Sequence, residues 1–149
     1  MKISTNVTDL INLESIDDDK LIAIINGELA YFEEQLVDEI TSLEVVDTGN
    51  LRDSHKLIEA KKNGDVIKGQ VTVNSPYAVY NEYGTGIYTA LGDGRKTGWV
   101  YPCYIDGKFT FRYTKGMRAR PFFRNTIDKN KDKIMDDIQK KVKEVITNG

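Results

Sequence analysis

Ser75-Pro76-Tyr77-Ala78-Val79-Tyr80-Asn81-Glu82-Tyr83-Gly84-Thr85-Gly86 divides the chain. Asn74 or Ser75 can cap a helix here, and Pro76 suits its first turn because the missing N–H is not needed there. Gly84 supplies the left-handed residue that ends many helices. The stretch therefore reads as a helix of about two turns, followed by a flexible Gly84-Thr85-Gly86 hinge. Glu82 falls in the last turn, where a negative charge opposes the macrodipole, so its carboxylate calls for a cationic partner. Each side of this short helix carries a hairpin signal, and outside each hairpin lies a long amphipathic stretch. That order decides the fold.

On the N-terminal side, residues 1–16 read as an arm or short helix. Asp17-Asp18-Asp19 then caps a long helix and places negative charge at its start. Leu21, Ile25, Leu29, Phe32, Leu36, Ile40 and Leu43 recur at steps of four, four, three, four, four and three. This is a single apolar stripe, with Glu28, Glu33, Glu34, Asp38 and Glu39 largely off it. Gly27 weakens that helix and suggests a close helix contact. Val46-Asp47-Thr48-Gly49-Asn50-Leu51-Arg52 is a turn in which Asp47 or Thr48 can cap a short helical piece. Residues 55–61 and 66–73 read as strands, and Asn63-Gly64-Asp65 between them suits a type I′ turn.

On the C-terminal side, residues 87–98 lack apolar periodicity and read as a mobile loop carrying Arg95 and Lys96, with Trp99 just beyond. Trp99-Val100-Tyr101 and Lys108-Phe109-Thr110-Phe111-Arg112-Tyr113 are aromatic-rich strands joined by Asp106-Gly107, a second hairpin expected in the same sheet as the first. Pro121 stands near the first turn of a final helix, whose inward stripe is Ile127, Ile134, Ile138, Val142 and Val145. The chain thus reads as a single α+β domain. A small antiparallel sheet of two hairpins packs against a long N-terminal helix and a C-terminal helix, with a short central helix between the hairpins.

Composition narrows the function. With 40% apolar and 30% charged residues the chain reads as a soluble globular protein. No apolar run approaches the roughly 18 residues of a membrane span, and the N-terminus lacks a signal-peptide core. Cys103 is the single cysteine, which excludes intrachain disulfides and reads as a small half-buried hydrophobe. Residues 1–59 carry 14 acids and 4 bases, whereas residues 60–149 carry 9 acids and 17 bases. Either two solvated helices of opposite charge or a subunit with an acidic and a basic face accounts for this split.

The glycine-rich segment Gly92-Asp93-Gly94-Arg95-Lys96-Thr97-Gly98 fails as a phosphate site. Lys96-Thr97 precedes the glycine that a Walker loop would place before it, and the dinucleotide spacing is wrong at Gly98. His55 and Cys103 lie far apart with no supporting signature, and no carboxylate spacing suggests a metal site. An enzyme and a cofactor are not expected. The basic and aromatic run Arg112, Tyr113, Lys115, Arg118, Arg120, Phe122, Phe123, Arg124 could meet nucleic acid. Against that reading, its arginines could form ion pairs while the phenylalanines pack in the core. Arg120 stands at a helix start, where a cation is unfavourable unless paired, so Glu82 and Arg120 are expected to pair with each other.

Three segments in order resemble the tail-completion (gene-product-ten-like) family of tailed bacteriophages, related in role to the minor tail protein Z of lambdoid phages. They are Val46-Asp47-Thr48-Gly49-Asn50-Leu51-Arg52, Tyr77 through Gly86, and Ala119-Arg120-Pro121-Phe122-Phe123. Order and spacing agree from about residue 30 onward, whereas residues 87–113 are longer than in many members. The resemblance implies a non-enzymatic virion protein of the head–tail junction, assembled in the bacterial cytoplasm. It would form a homo-oligomeric ring, sixfold before twelvefold, between head connector and tail tube, touching connector and tail proteins and the DNA in the channel, with no membrane contact. A tail terminator capping the tube is the nearest variant, and a basic-loop nucleic-acid binder is the alternative of another class. On this reading Tyr77, Tyr80, Glu82, Gly84, Thr85, Gly86, Arg118, Arg120, Pro121, Phe122 and Phe123 form a structural latch and interface. Arg95, Lys96 and Trp99 belong to an assembly loop.

Overall fold

A computed structural model of the chain describes residues 16–45 and 48–148. Helix α1 (Asp18–Ser42) begins where expected, with the Asp17 carboxylate accepting the Asp19 N–H as its cap. Leu29, Phe32, Leu36 and Ile40 of its stripe are buried, and Leu21, Ile25 and Leu43 pack at the margin of the same core. The short helix α2 (Thr48–Asp53) follows, contributing Leu51 to the core. The expected N-terminal arm, apart from buried Ile16, and the capping role of Asp47 or the Thr48 side chain fall outside the described residues.

Strands β1 (His55–Asn63) and β2 (Val66–Val73) pair antiparallel and lie against α1. Their turn differs from the expected type I′. Asn63 is the last paired residue, and of the two residues between the strands only Gly64 has positive φ, at 64°, the pattern of a type II′ turn. Between Ile58 and Lys61 the register slips, so that Glu59 and Ala60 together oppose Gly69. The bulge leaves the Ala60 N–H without a ladder partner, and Asn26 Oδ1 of α1 accepts it at 2.7 Å. The bulge thereby ties the hairpin to the helix.

After the short helix α3 (Ala78–Tyr83) and a 3-10 turn (Gly86–Tyr88) come β3 (Trp99–Ile105) and β4 (Lys108–Thr114). Here Asp106 and Gly107 both have positive φ, 49° and 75°, so the type I′ turn sits in this hairpin. The two hairpins form separate two-stranded sheets instead of the single sheet expected. The first is held by α1. Among the described residues the second has no comparable helix against it.

Helix α4 (Phe122–Asn148) runs antiparallel to α1 and buries Phe122, Phe123, Ile134, Ile138 and Val142, with Phe32 and Phe123 rings 5.6 Å apart. The sequence pattern places Glu28 and Glu39 off the α1 stripe, yet both are buried. Lys141 reaches Glu28 at 2.6 Å, and Lys129 and Asn125 reach Glu39 at 2.7 and 3.1 Å. Part of the charge asymmetry is therefore neutralised between the two long helices, which neither reading of the split foresaw. Buried Asn130 accepts the Tyr31 hydroxyl at 3.1 Å across the same interface.

Gly27 does not mark a helix contact: it is exposed, and a Cβ there would meet nothing within 4 Å. Gly27→Ala is accordingly expected to stabilise the chain by about 1 kcal/mol, the propensity difference at an exposed helix interior. Urea unfolding checks this, and a loss of stability would restore the close-contact reading.

Candidate functional site

The most densely hydrogen-bonded junction between elements lies where α3, the 115–117 segment and the start of α4 meet. Helix α3 is only six residues long because both ends are fixed by backbone chemistry. Pro76 lies in the turn ahead of it, not in its first turn. Ser75 Oγ accepts the Tyr77 N–H at 3.2 Å and donates to Asn50 Oδ1 at 2.7 Å, so Ser75 braces the entry and links it to α2. At the exit Gly84 has φ 76° and ψ 176°, a conformation open to glycine and not the left-handed helical one expected.

Glu82 is buried, and its partner is Arg124 instead of Arg120. Glu82 Oε2 accepts the Phe123 N–H at 2.9 Å, and Oε1 accepts both the Arg124 N–H and the Arg124 Nε–H at 3.0 Å. Arg124 Nη2 also donates to the Glu82 carbonyl oxygen at 2.9 Å. The carboxylate is thus the cap of α4, supplied from another helix. It sits at the positive end of a 27-residue helix, and this outweighs its position in the last turn of a six-residue one. Arg120 turns elsewhere: its Nη1 donates to the Glu44 carbonyl, while its backbone N–H donates to the Asn81 carbonyl at 2.6 Å. A carboxylate saturated by three donors is a poor general acid or base.

The Gly84-Thr85-Gly86 segment is pinned, which corrects its reading as a flexible hinge. Thr85 N–H donates to Met117 O at 2.9 Å, Met117 N–H to Thr85 Oγ1 at 2.9 Å, and Ile87 N–H to Lys115 O at 3.1 Å. Ala90 N–H also closes back onto Tyr83 O at 2.8 Å. Phe122 and Phe123 lie in the core and so offer no surface to a partner. Pro121 is half-buried immediately before α4. Cationic side chains rest on rings around the junction, with Arg124 over Tyr83 at 5.0 Å and Arg118 over Tyr88 at 4.9 Å.

Other expected site residues lie apart from this junction. Tyr77 and Tyr80 are exposed on the outer side of α3. Arg95 stacks over half-buried Trp99 at 5.4 Å, and Lys96 Nζ donates to the Gly92 carbonyl at 3.2 Å. His55 is satisfied locally by Glu33, 3.1 Å from Nε2, and by the Arg52 carbonyl at Nδ1. The displaced titrations belong to exposed ion pairs. The Asp18 carboxylate, chiefly through its hydrogen bond, raises the Lys62 ammonium, and Lys133 and Asp137 on α4 likewise raise and lower each other. Among the described residues no three His, Cys, Asp or Glu side chains gather as a metal site, and no helix is long and apolar enough to cross a membrane.

Sequence reasoning missed one surface. Register places Val100, Pro102 and Tyr104 of β3 opposite Tyr113, Phe111 and Phe109 of β4, on one face of the second hairpin, and all six are exposed. Lys108, Thr110, Arg112 and Thr114 occupy the other face with Trp99, Tyr101, Cys103 and Ile105. The signal was present in the alternation of Phe109, Phe111 and Tyr113 with polar residues. Comparison with family models, with curated proteins and with solved structures finds no match to this chain.

Proposed function

We propose that the chain is a non-enzymatic structural subunit of a phage or phage-tail-like particle, acting at the head–tail junction as part of a ring. The observation that carries this reading is the convergence of the three motif segments on one junction. Asn50 of the first accepts the Ser75 hydroxyl at the entry to the second. Asn81 and Glu82 of the second hold the backbone of Arg120, Phe123 and Arg124 in and beside the third. Such a junction has the character of a latch: its charged group is consumed by capping, and its glycines allow close backbone approach. A ring subunit needs this kind of rigid body together with an exposed apolar surface for its neighbours, which the second hairpin offers.

The nucleic-acid reading is less well supported. Stacking platforms combine aromatic rings and cations on one surface, whereas here the four most exposed rings, Tyr104, Phe109, Phe111 and Tyr113, lie on the face opposite Lys108 and Arg112, which have Tyr101 beside them. Deleting the gene from its native genome and imaging the released particles tests the proposal. Separate heads and tails are the expected result. Tails of uncontrolled length would favour a terminator, and fully joined particles would overturn both roles. Steeply salt-dependent binding of the purified chain to unrelated DNA sequences would favour the nucleic-acid alternative.

A further inference from the structure

Among the described residues two apolar surfaces lack a cover. One is the hairpin face, where Val100 is 60%, Tyr104 74%, Phe109 58%, Phe111 61% and Tyr113 64% exposed. Its rings tile edge to face, Phe109 against Tyr104 at 5.5 Å and against Phe111 at 5.3 Å. The other is the outer side of α3, with Tyr77, Val79 and Tyr80 about half exposed. At about 200 Å² per aromatic side chain, the hairpin face leaves on the order of 600 Å² open, the upper end of what a monomer tolerates. A two-stranded ribbon with one side bare is also marginal by itself in water.

We propose that these two surfaces meet between copies, the hairpin face of one chain docking on the α3 surface of the next. Two observations select this contact over hairpin against hairpin. A hairpin-to-α3 contact covers both apolar surfaces at once, whereas stacked hairpins leave α3 bare. Charge agrees. Residues 87–116 carry five bases and two acids, a net of +3 in a chain of net −2, so the rest of the chain carries −5. Stacking two such hairpins would join like charges, which disfavours hairpin against hairpin. The two surfaces together bury roughly 1,000 Å², the lower edge of a specific interface, so a single contact is weak and closure of a ring of such contacts strengthens it. The contact is head-to-tail, which generates rings where the rotation closes. This contact deepens the ring reading by naming its faces, and its strength rests on that reading through closure of the ring.

The test mixes two full-length variants, Phe111→Asp and Tyr80→Asp, each altered at an exposed position so that the fold is retained. Val100→Asp serves as a second hairpin variant if Phe111→Asp lowers the melting temperature. In sedimentation at hundreds of micromolar the unaltered chain should exceed its 16.9 kDa monomer mass, and each variant alone should not. An equimolar mixture should form a species of twice that mass, because one chain keeps its hairpin face and the other its α3 surface. A mixture that stays monomeric, or a monomeric unaltered chain, overturns the contact. If the mixture fails while the unaltered chain still forms rings, the faces are wrong and the ring reading survives. If the mixture pairs but no closed ring forms, the contact holds and the ring reading fails.

Discussion

Glu82→Ala should lower the unfolding free energy by about 3 kcal/mol, the cost of leaving buried amides without their charge-assisted acceptor. Three donors converge on this one carboxylate, and two are backbone amides in the first turn of α4, which have no partner within their own helix. Phe123, whose amide is one of them, is buried, so water cannot readily replace the acceptor. Glu82→Gln keeps an acceptor but loses the charge at the helix start, and about half of the loss should remain. Arg124→Ala should cost less, about 1 kcal/mol, because the Arg124 side chain is 43% exposed and solvent screens the pair. Urea unfolding of single and double variants decides the assignment. Coupling is expected between Glu82 and Arg124, and near-additivity between Glu82 and Arg120. Coupling to Arg120 alone would restore the pairing that the sequence suggests.

That misassignment shows where the sequence was and was not legible. The long helices were readable because their apolar residues repeat at helical spacing over more than twenty positions, and Asp17 stands where a cap belongs. The partner of Glu82 was not, because helix-end electrostatics supply a sign without a direction. Arg120 and Arg124 are one turn apart at the same helix start, and only the packing of α3 against α4 selects between them. Glu28 and Glu39 were misplaced for a related reason. A carboxylate on an amphipathic helix reads as solvent-facing, yet the lysines that neutralise these two lie about a hundred residues away in sequence.

The second hairpin is a different case. Alternation in β4 marks one face as apolar, and the ordinary inference assigns that face to the core of the same chain. The alternation is as expected, but among the described residues no helix packs on it as α1 packs on the first hairpin. An apolar strand face is evidence of burial in the working assembly, and periodicity cannot tell a neighbouring subunit from an intramolecular core. The turns were assigned by composition, since Asn-Gly and Asp-Gly both suit type I′. Pairing register decides which residues occupy the central positions, and so only Asp106-Gly107 takes that form.

Gly86→Ala should cost about 3 kcal/mol, the combined effect of positive φ and of parting two hydrogen-bonded backbone segments. Gly86 has φ 61°, which an alanine can adopt at a cost of roughly 1 kcal/mol. A Cβ would also lie 2.1 Å from the Lys115 carbonyl oxygen and 2.9 Å from the Gly116 Cα. Those are backbone atoms, so no rotamer change relieves the overlap and the two segments must separate. Separation weakens the bonds that join Thr85 to Met117 and Ile87 to Lys115. Gly92→Ala isolates the conformational part, because Gly92 has φ 75° but a Cβ there meets nothing within 4 Å. It should cost only about 1 kcal/mol. Hydrogen exchange adds a local readout: in Gly86→Ala the amides of Thr85, Ile87 and Met117 should lose protection before those of α1 and α4 do. Equal costs for the two variants, with unchanged protection at Thr85 and Met117, would mean that the segment yields without loss and acts as the hinge its glycines suggest.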